Sequence, residues 1–223
     1  MLGPVERWAT FDCYGTLVDW HAGISTAAES VAPGRGADVL AAYHRLEPVV
    51  EAGPTFRRYR DVLRETLSRA AAEVGVRLPA GGEDVLGATL PDWPVYPDVG
   101  DTLGALMESG WKLAILSNVD RDLIAGTARR LPVAFDLVVT AEEVRSYKPA
   151  PGHLRRFQEL TAAVPERWVH VAGSVFHDIA PARAHGVRGV YITRVPEKED
   201  ARAAEAMLPD LRALPAVLDA LVS

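Results

Sequence analysis

Four short apolar runs in this chain each lead into residues able to do chemistry. Phe11-Asp12-Cys13-Tyr14-Gly15-Thr16-Leu17 sets an acid directly after the first run, with a glycine and a threonine close behind. Ser117-Asn118 follows the second, a hydroxyl and an amide able to bind an anion. The third leads into Glu142-Glu143-Val144-Arg145-Ser146-Tyr147-Lys148-Pro149, which offers one lysine rigidified by a proline. The fourth leads into Gly173-Ser174-Val175-Phe176-His177-Asp178 and so reaches a second acid. Singly, each has an ordinary structural reading: an Asp that ends a strand and binds turn amides, or a lysine that is simply solvated. The ordered set of acid, Ser-Asn, lysine and acid is what points to one site.

The elements that must position this set follow from periodicity. Residues 8–11, 112–116, 137–140, 168–172 and 189–192 are short apolar runs bounded by polar residues, as expected of buried parallel strands. Between them lie amphipathic helix candidates at 101–109, 120–131, 151–162 and 179–185. This alternation predicts an α/β fold with right-handed crossovers, in which ligands bind beyond the carboxyl ends of the strands. The segment from Trp20 to Trp93 differs: Ala41, Ala42, Leu46, Val62, Leu63, Leu67 and Ala70 recur at helical spacing, and no strand is convincing. Gly53-Pro54 and Pro79-Ala80-Gly81-Gly82 divide it into helical pieces, and the proline-rich stretch 91–97 returns the chain to the sheet pattern. The expected organisation is a core of residues 1–19 and 96–223 with a helical cap, 20–95, inserted over the site. The tail from Ala201 reads as a helix packed on the core.

Composition narrows the function classes. The chain has 223 residues, 48% apolar and 24% charged, with 24 Lys plus Arg against 30 Asp plus Glu and a net charge of −6. Such a balance gives no broad attraction to nucleic acid or anionic membranes. The basic cluster Arg57-Arg58-Tyr59-Arg60 therefore reads as a solvated or substrate-facing cap helix. No apolar run approaches the roughly 20 residues that span a bilayer, and no signal-peptide core is visible near the start. The single cysteine, Cys13, excludes an internal disulfide and suits a reducing compartment, so a cytoplasmic location is expected. Strand alternation turns Cys13 away from the face of Asp12, into the core.

Taken in order, these motifs resemble the haloacid dehalogenase superfamily, and the resemblance spans essentially the whole chain. It implies a Rossmann-like parallel sheet core flanked by helices, an inserted helical cap, and Asp12 as nucleophile with Thr16, Ser117, Lys148 and Asp178 as catalytic partners. Two positions separate subfamilies. Superfamily phosphatases carry a general acid two residues after the nucleophile, where this chain has Tyr14, and hold magnesium with acids of the last motif, where this chain has Gly173. A halide leaves without a proton and so needs no general acid. A haloacid also carries one carboxylate rather than a phosphate dianion, which weakens the case for a divalent cation. The Asp-Tyr-Gly-Thr pattern is similar to that of L-2-haloacid dehalogenases.

That resemblance implies attack by Asp12 on the carbon bearing the halogen, then hydrolysis of the aspartyl ester to a 2-hydroxy acid. It implies Tyr14, Asn118, Ser174 and His177 as substrate contacts, with His177 equally readable as structural. Family dehalogenases use a cap arginine, for which Arg45 is the first candidate by position among Arg45, Arg57, Arg58 and Arg60; a solvated helix arginine is the alternative for each. Gly173 and Val175 depart from the serine and asparagine of the best-known dehalogenases. No metal or cofactor is expected, magnesium entering only with a phosphatase. The expected partner is a small 2-haloacid, with no nucleic acid or membrane, and a homodimer is compatible with the family. Competing readings are hydrolysis of another leaving group, a strained ring amine or a phosphate ester, and a non-catalytic binding protein on the same scaffold.

Overall fold

The computed structural model describes residues 6–195 and 201–222. In chain order these form β1 (Arg7–Phe11), α1 (Trp20–Val31), α2 (Gly36–Glu51), α3 (Tyr59–Glu73), α4 (Val85–Thr89), α5 (Val99–Glu108), β2 (Trp111–Ser117) and α6 (Arg121–Ala128). There follow β3 (Leu137–Thr140), α7 (Ala141–Val144), α8 (Gly152–Thr161), β4 (Trp168–Ala172), α9 (Ala180–Ala184), β5 (Arg188–Ile192), β6 (Ala206–Leu208) and α10 (Leu214–Leu221). The strands make one sheet in the order β3-β2-β1-β4-β5-β6, every pair parallel. Among the described residues no helix is long and apolar enough to cross a membrane.

Both faces of the sheet are buried, which is why its strands read as continuous apolar runs. Ala9, Phe11, Leu113, Ile115, Val169 and Val171 join one cluster, with Leu103 and Leu106 of α5 and Leu214 and Leu218 of α10. Trp8, Ala114, Leu116 and Trp168 point the other way, onto Leu154 and Phe157 of α8. There the Phe157 ring packs against Trp8 and Trp168 at 5.2 and 4.7 Å between centroids. Cys13 is buried in the first cluster, away from the face of Asp12.

Two departures from the sequence expectation have local causes. The tail is not simply helical: Ala206–Leu208 adds an edge strand to β5, in register Val190↔Ala206 to Ile192↔Leu208, before α10 begins. Three residues are too few to show a period of two. The expected helix at 179–185 is preceded by a wide turn over Val175–Ile179, in which the Ile179 N–H reaches back five residues to the Ser174 carbonyl. This turn buries Asp178.

Between β1 and β2, residues 20–92 are helical and lie over the carboxyl ends of the central strands. Gly23 is where α1 meets Trp93: a Cβ there would fall 2.2 Å from the indole ring, so only glycine permits the approach. The attachment of α3 is polar. Asp120, fully buried in the loop after β2, accepts the N–H groups of Tyr59 and Arg60 at 3.0 and 2.9 Å. A core loop thereby caps a cap helix, satisfying donors that no residue of α3 can satisfy. The Tyr147 hydroxyl donates to the Arg57 carbonyl at 2.9 Å, and Arg58 and Arg60 each pair with Asp122 at 2.8 Å. Asp120→Ala leaves the buried Tyr59 N–H and the half-buried Arg60 N–H unmet and should cost about 1–3 kcal/mol. For a chain of this size the melting temperature should fall by roughly 2–4 °C per kcal/mol. Thermal unfolding followed by circular dichroism checks this; an unchanged midpoint removes Asp120 as the clasp.

Candidate active site

Strands β1, β2 and β4 are the three central neighbours, and sequence order runs outward in opposite directions on either side of β1 and β4. In parallel sheets a crevice opens at such a switch point, beyond the carboxyl ends. A cavity of about 380 Å³ lies there. Its core side carries Asp12, Tyr14, Ser117, Asn118, Lys148, Ser174, His177 and Asp178, so the residues expected from the four motifs converge, with Thr16 bonded to Asp12 just behind.

Lys148 is the hub. Its buried Nζ donates to Asp12 Oδ1 at 2.8 Å, to Asp178 Oδ1 at 2.6 Å and to the Leu116 carbonyl at 3.0 Å. All three ammonium hydrogens are thereby engaged. Asn118 fixes the lysine backbone: its Oδ1 accepts the Lys148 N–H at 2.7 Å and its Nδ2 donates to the Lys148 carbonyl at 3.2 Å. The expected substrate amide is thus used to hold the lysine segment.

Asp12 directly follows β1 and faces the same side as Thr10, two residues earlier. Its Oδ2 accepts from Thr16 Oγ1 at 3.1 Å, and Thr16 Oγ1 in turn accepts the Gly173 N–H at 2.8 Å. Burial raises the Asp12 carboxyl above its ordinary range, with Lys148 opposing and Asp178 adding to the rise. Asp178 moves the other way: Lys148 and a hydrogen bond from His170 outweigh burial and hold it well below the usual carboxylate range. Burial opposes the charge on Lys148, but the two carboxylates prevail and raise its pKa. The two acids are therefore unlike, one desolvated and more basic, the other locked as an anion.

Gly173 is a steric requirement. A Cβ there would lie 2.6 Å from the Gly15 carbonyl oxygen, so no acidic side chain fits without moving the Asp12 loop. Tyr14 lines the cavity, and its hydroxyl exchanges a 2.7 Å hydrogen bond with Thr127 Oγ1. Burial drives the Tyr14 phenol well above its ordinary value. Ser117 Oγ is buried and has no hydrogen-bond partner, although Ser117 lines the cavity. Ser174 Oγ lies 3.1 Å from His177 Nδ1 and accepts the His177 N–H at 3.2 Å.

The cap arginine is a correction. Arg45 does not line the cavity; it lies exposed on α2, paired with Glu73 at 2.5 Å. Arg57 pairs with Glu65, while Arg58 and Arg60 pair with Asp122. The cap side instead presents Trp20, His21, His44, Glu47, Glu51 and Tyr59. Helix rotation explains the difference: 44, 47 and 51 share one face, and position 45 is turned about 100° away from 44. That polar stripe was visible in the sequence as His44, Glu47 and Glu51.

His170, in the middle of β4, is another functional candidate beyond the four motifs. Fully inside the sheet, its Nε2 meets Asp178 Oδ1 at 2.9 Å and its Nδ1 meets Thr10 Oγ1 at 2.8 Å. Trp168 Nε1 donates to the same Thr10 oxygen at 2.8 Å. Its signal was a polar residue inside an apolar run. The Asp178 carboxylate can only accept, so it fixes the tautomer of His170, and the bare Nδ1 then accepts the Thr10 hydroxyl hydrogen. The hydrogen of His170 then sits on Nε2, aimed at Asp178. Nitrogen-15 NMR of the imidazole should show Nε2 protonated and Nδ1 bare; a proton on Nδ1 would contradict this wiring.

A family model for haloacid dehalogenase-like hydrolases matches residues 7–186. The chain is similar to "(S)-2-haloacid dehalogenase 1" of Pseudomonas sp. (strain CBS-3), with 28% identity over 201 residues covering 87% of each protein. It is also similar to a phosphoglycolate phosphatase of Salmonella typhimurium, 29% identical over 214 residues, covering 84% of this chain and 81% of that protein. Among solved structures, the L-2-haloacid dehalogenase RSc1362 superposes with a TM-score of 0.86 at 24% identity, covering 97% of this chain and 100% of that one. The L-2-haloacid dehalogenase from Xanthobacter autotrophicus with chloropropionic acid covalently bound gives 0.83 at 20% identity, covering 96% and 99%. With four strand ends meeting at one lysine and a family model matching most of its length, this chain belongs to the haloacid dehalogenase-like hydrolases.

Proposed function

We propose that the chain hydrolyses the carbon–halogen bond of a small 2-haloacid through an aspartyl ester on Asp12. The observation that carries this reading is the pairing of a desolvated Asp12 with Tyr14, two residues on, whose phenol is too weak an acid to protonate a leaving alkoxide. Tyr14 stands where a phosphatase needs its acid; its hydroxyl is engaged with Thr127 and its phenol is held protonated by burial. A leaving group that departs as a weak base suits such a site. The likeness to named (S)-2-haloacid dehalogenases supports the same choice.

In the first step an Asp12 carboxylate oxygen forms a bond to the carbon bearing the halogen, and the halide leaves with the bonding pair. Burial makes that oxygen more nucleophilic, while Lys148 and Thr16 orient the carboxylate. In the second step water adds to Asp12 Cγ and the ester C–O bond breaks. The 2-hydroxy acid leaves with an oxygen from Asp12, and one proton is released to solvent. Asp178, held as a weak base, fits positioning of the lysine and the water better than proton abstraction. Ser117, at the end of β2, belongs to the same lining and is assigned to orienting a carboxylate there. Ser174 and His177 stand at the same wall.

A divalent cation does not suit these residues. Position 173 has no room for an acidic side chain, and the Lys148 ammonium already bridges Asp12 and Asp178. Among the described residues no group of three or more His, Cys, Asp or Glu is placed to hold a metal ion. No step is therefore assigned to a metal.

Halide release from (S)-2-chloropropionate in excess EDTA tests the reading, beside a generic phosphate ester with magnesium. Chelator-resistant halide release, abolished in Asp12→Asn with the fold retained, is the expected result. Phosphate release that requires magnesium, with no halide from the haloacid, overturns it.

A further inference from the structure

Asp178 takes its two side-chain donors on one oxygen. Lys148 Nζ and His170 Nε2 reach the same Oδ1, at 2.6 and 2.9 Å. Among the described residues none donates to Oδ2, yet that atom is not one of the enclosed polar atoms without a partner. Oδ2 therefore keeps open surface, and Asp178 lines the cavity. A carboxylate accepts through both oxygens, so Oδ2 is left for a donor from the cavity side. Water is the donor that the second step brings there.

The two donors on Oδ1 differ in what they can fix. Lys148 carries a point charge on a flexible stem, which could serve either oxygen. His170 is a planar ring in the middle of β4, held at its other edge as well. Thr10 stands directly opposite it on β1, and Thr10 Oγ1 lies 2.8 Å from His170 Nδ1. The same threonine oxygen accepts from Trp168 Nε1 at 2.8 Å, and the Trp168 ring packs on Phe157. All four side chains are buried. The imidazole cannot turn without breaking a hydrogen bond inside the sheet, where an unmet polar group is costly. His170 thus makes the choice of Asp178 oxygen definite.

Ester formation has no use for Asp178 Oδ2, since Lys148 and Thr16 orient the Asp12 carboxylate. Ester hydrolysis does, because a water must be held against Asp12 Cγ.

We propose that His170 is a positioning residue for the second step: by holding Asp178 Oδ1 it turns Oδ2 toward the water that attacks Asp12 Cγ. It acts through Asp178 and does not itself line the main cavity. The inference rests on the carbon–halogen reading above and adds a residue, and the step it serves, to the same site.

Rapid-quench turnover of (S)-2-bromopropionate, with bromide and lactate followed separately, gives a rate constant for each step. His170→Gln carries an amide nitrogen to the place of Nε2, His170→Asn carries one only to the place of Nδ1, and His170→Leu carries none. The Asn and Leu variants should slow lactate formation by about tenfold or more, the effect of one hydrogen bond to a charged group. Bromide release in the first turnover should change much less, so the Asp12 ester accumulates and shows in the mass of the intact protein. His170→Gln should restore most of the hydrolysis rate. Rate constants do not depend on how much of a preparation is folded, so lost stability does not imitate this result. Equal slowing of both steps, slowing of neither, or a Gln variant as slow in hydrolysis as the Asn variant overturns the inference and leaves the dehalogenase reading intact. Should neither the Asn nor the Leu variant fold, nitrogen-15 NMR of the unmodified chain decides. An exchange-protected proton on His170 Nε2 supports the inference, and a proton on Nδ1 overturns it. No halide from the unmodified chain removes the dehalogenase reading, and the inference falls with it.

Discussion

A single buried ammonium organises this molecule. Lys148 Nζ donates to Asp12 at the end of β1, to the Leu116 carbonyl of β2 and to Asp178 in the turn after β4. An unpaired charge at that depth would cost several kcal/mol. The three strand ends must therefore converge on the lysine, and the cavity forms where they do. The same constraint makes the two acids unlike. Asp178 is held as an anion by Lys148 and His170, while burial, with the Asp178 charge adding to it, leaves Asp12 more basic.

The parity of the strands carries this arrangement into the core. Trp8, Thr10 and Asp12 lie on one face of β1, in register with Trp168 and His170 on β4. The hydrogen bonds from Trp168 to Thr10, His170 and Asp178 run across that face and end at Lys148. A second polar chain joins core to cap, from Asp120 through the Tyr59 backbone and ring to Glu47. The loop after β2, which carries Asn118 and Asp120, thus also sets where the cap places its carboxylate. Ground floor and roof of the cavity share one support.

The convergent residues were legible because buried parallel strands are continuous apolar runs, and the polar residue that ends such a run has few places to go. Asp12 and Ser117 could be found in this way, Lys148 and Asp178 by their order in the loops that follow the next two runs, and Cys13 could be assigned to the core by alternation alone. The cap wall was not legible to the same degree. On α2 a stripe of His44, Glu47 and Glu51 has the spacing of a solvated face as much as of a lining one, and only the tertiary contact decides between them. Arg45 was placed by its distance along the chain, whereas one residue of a helix turns a side chain by about 100°. The wide turn at Val175–Ile179 and the three-residue β6 carry no local marker, since long-range hydrogen bonds define both. Asn118 shows a further limit: an amide after β2 was expected to meet the substrate, and in the fold both its polar atoms bond the Lys148 backbone.

The central claim is that Asp12 becomes an ester during turnover. A single turnover in oxygen-18 water, with enzyme in excess over (S)-2-chloropropionate, tests it by mass spectrometry of the peptide containing Asp12. Water attack on Asp12 Cγ should leave one heavy oxygen in that peptide and a light oxygen in the lactate. Heavy oxygen in the lactate, with none in the Asp12 peptide, would mean that water attacks the substrate directly and would contradict the account.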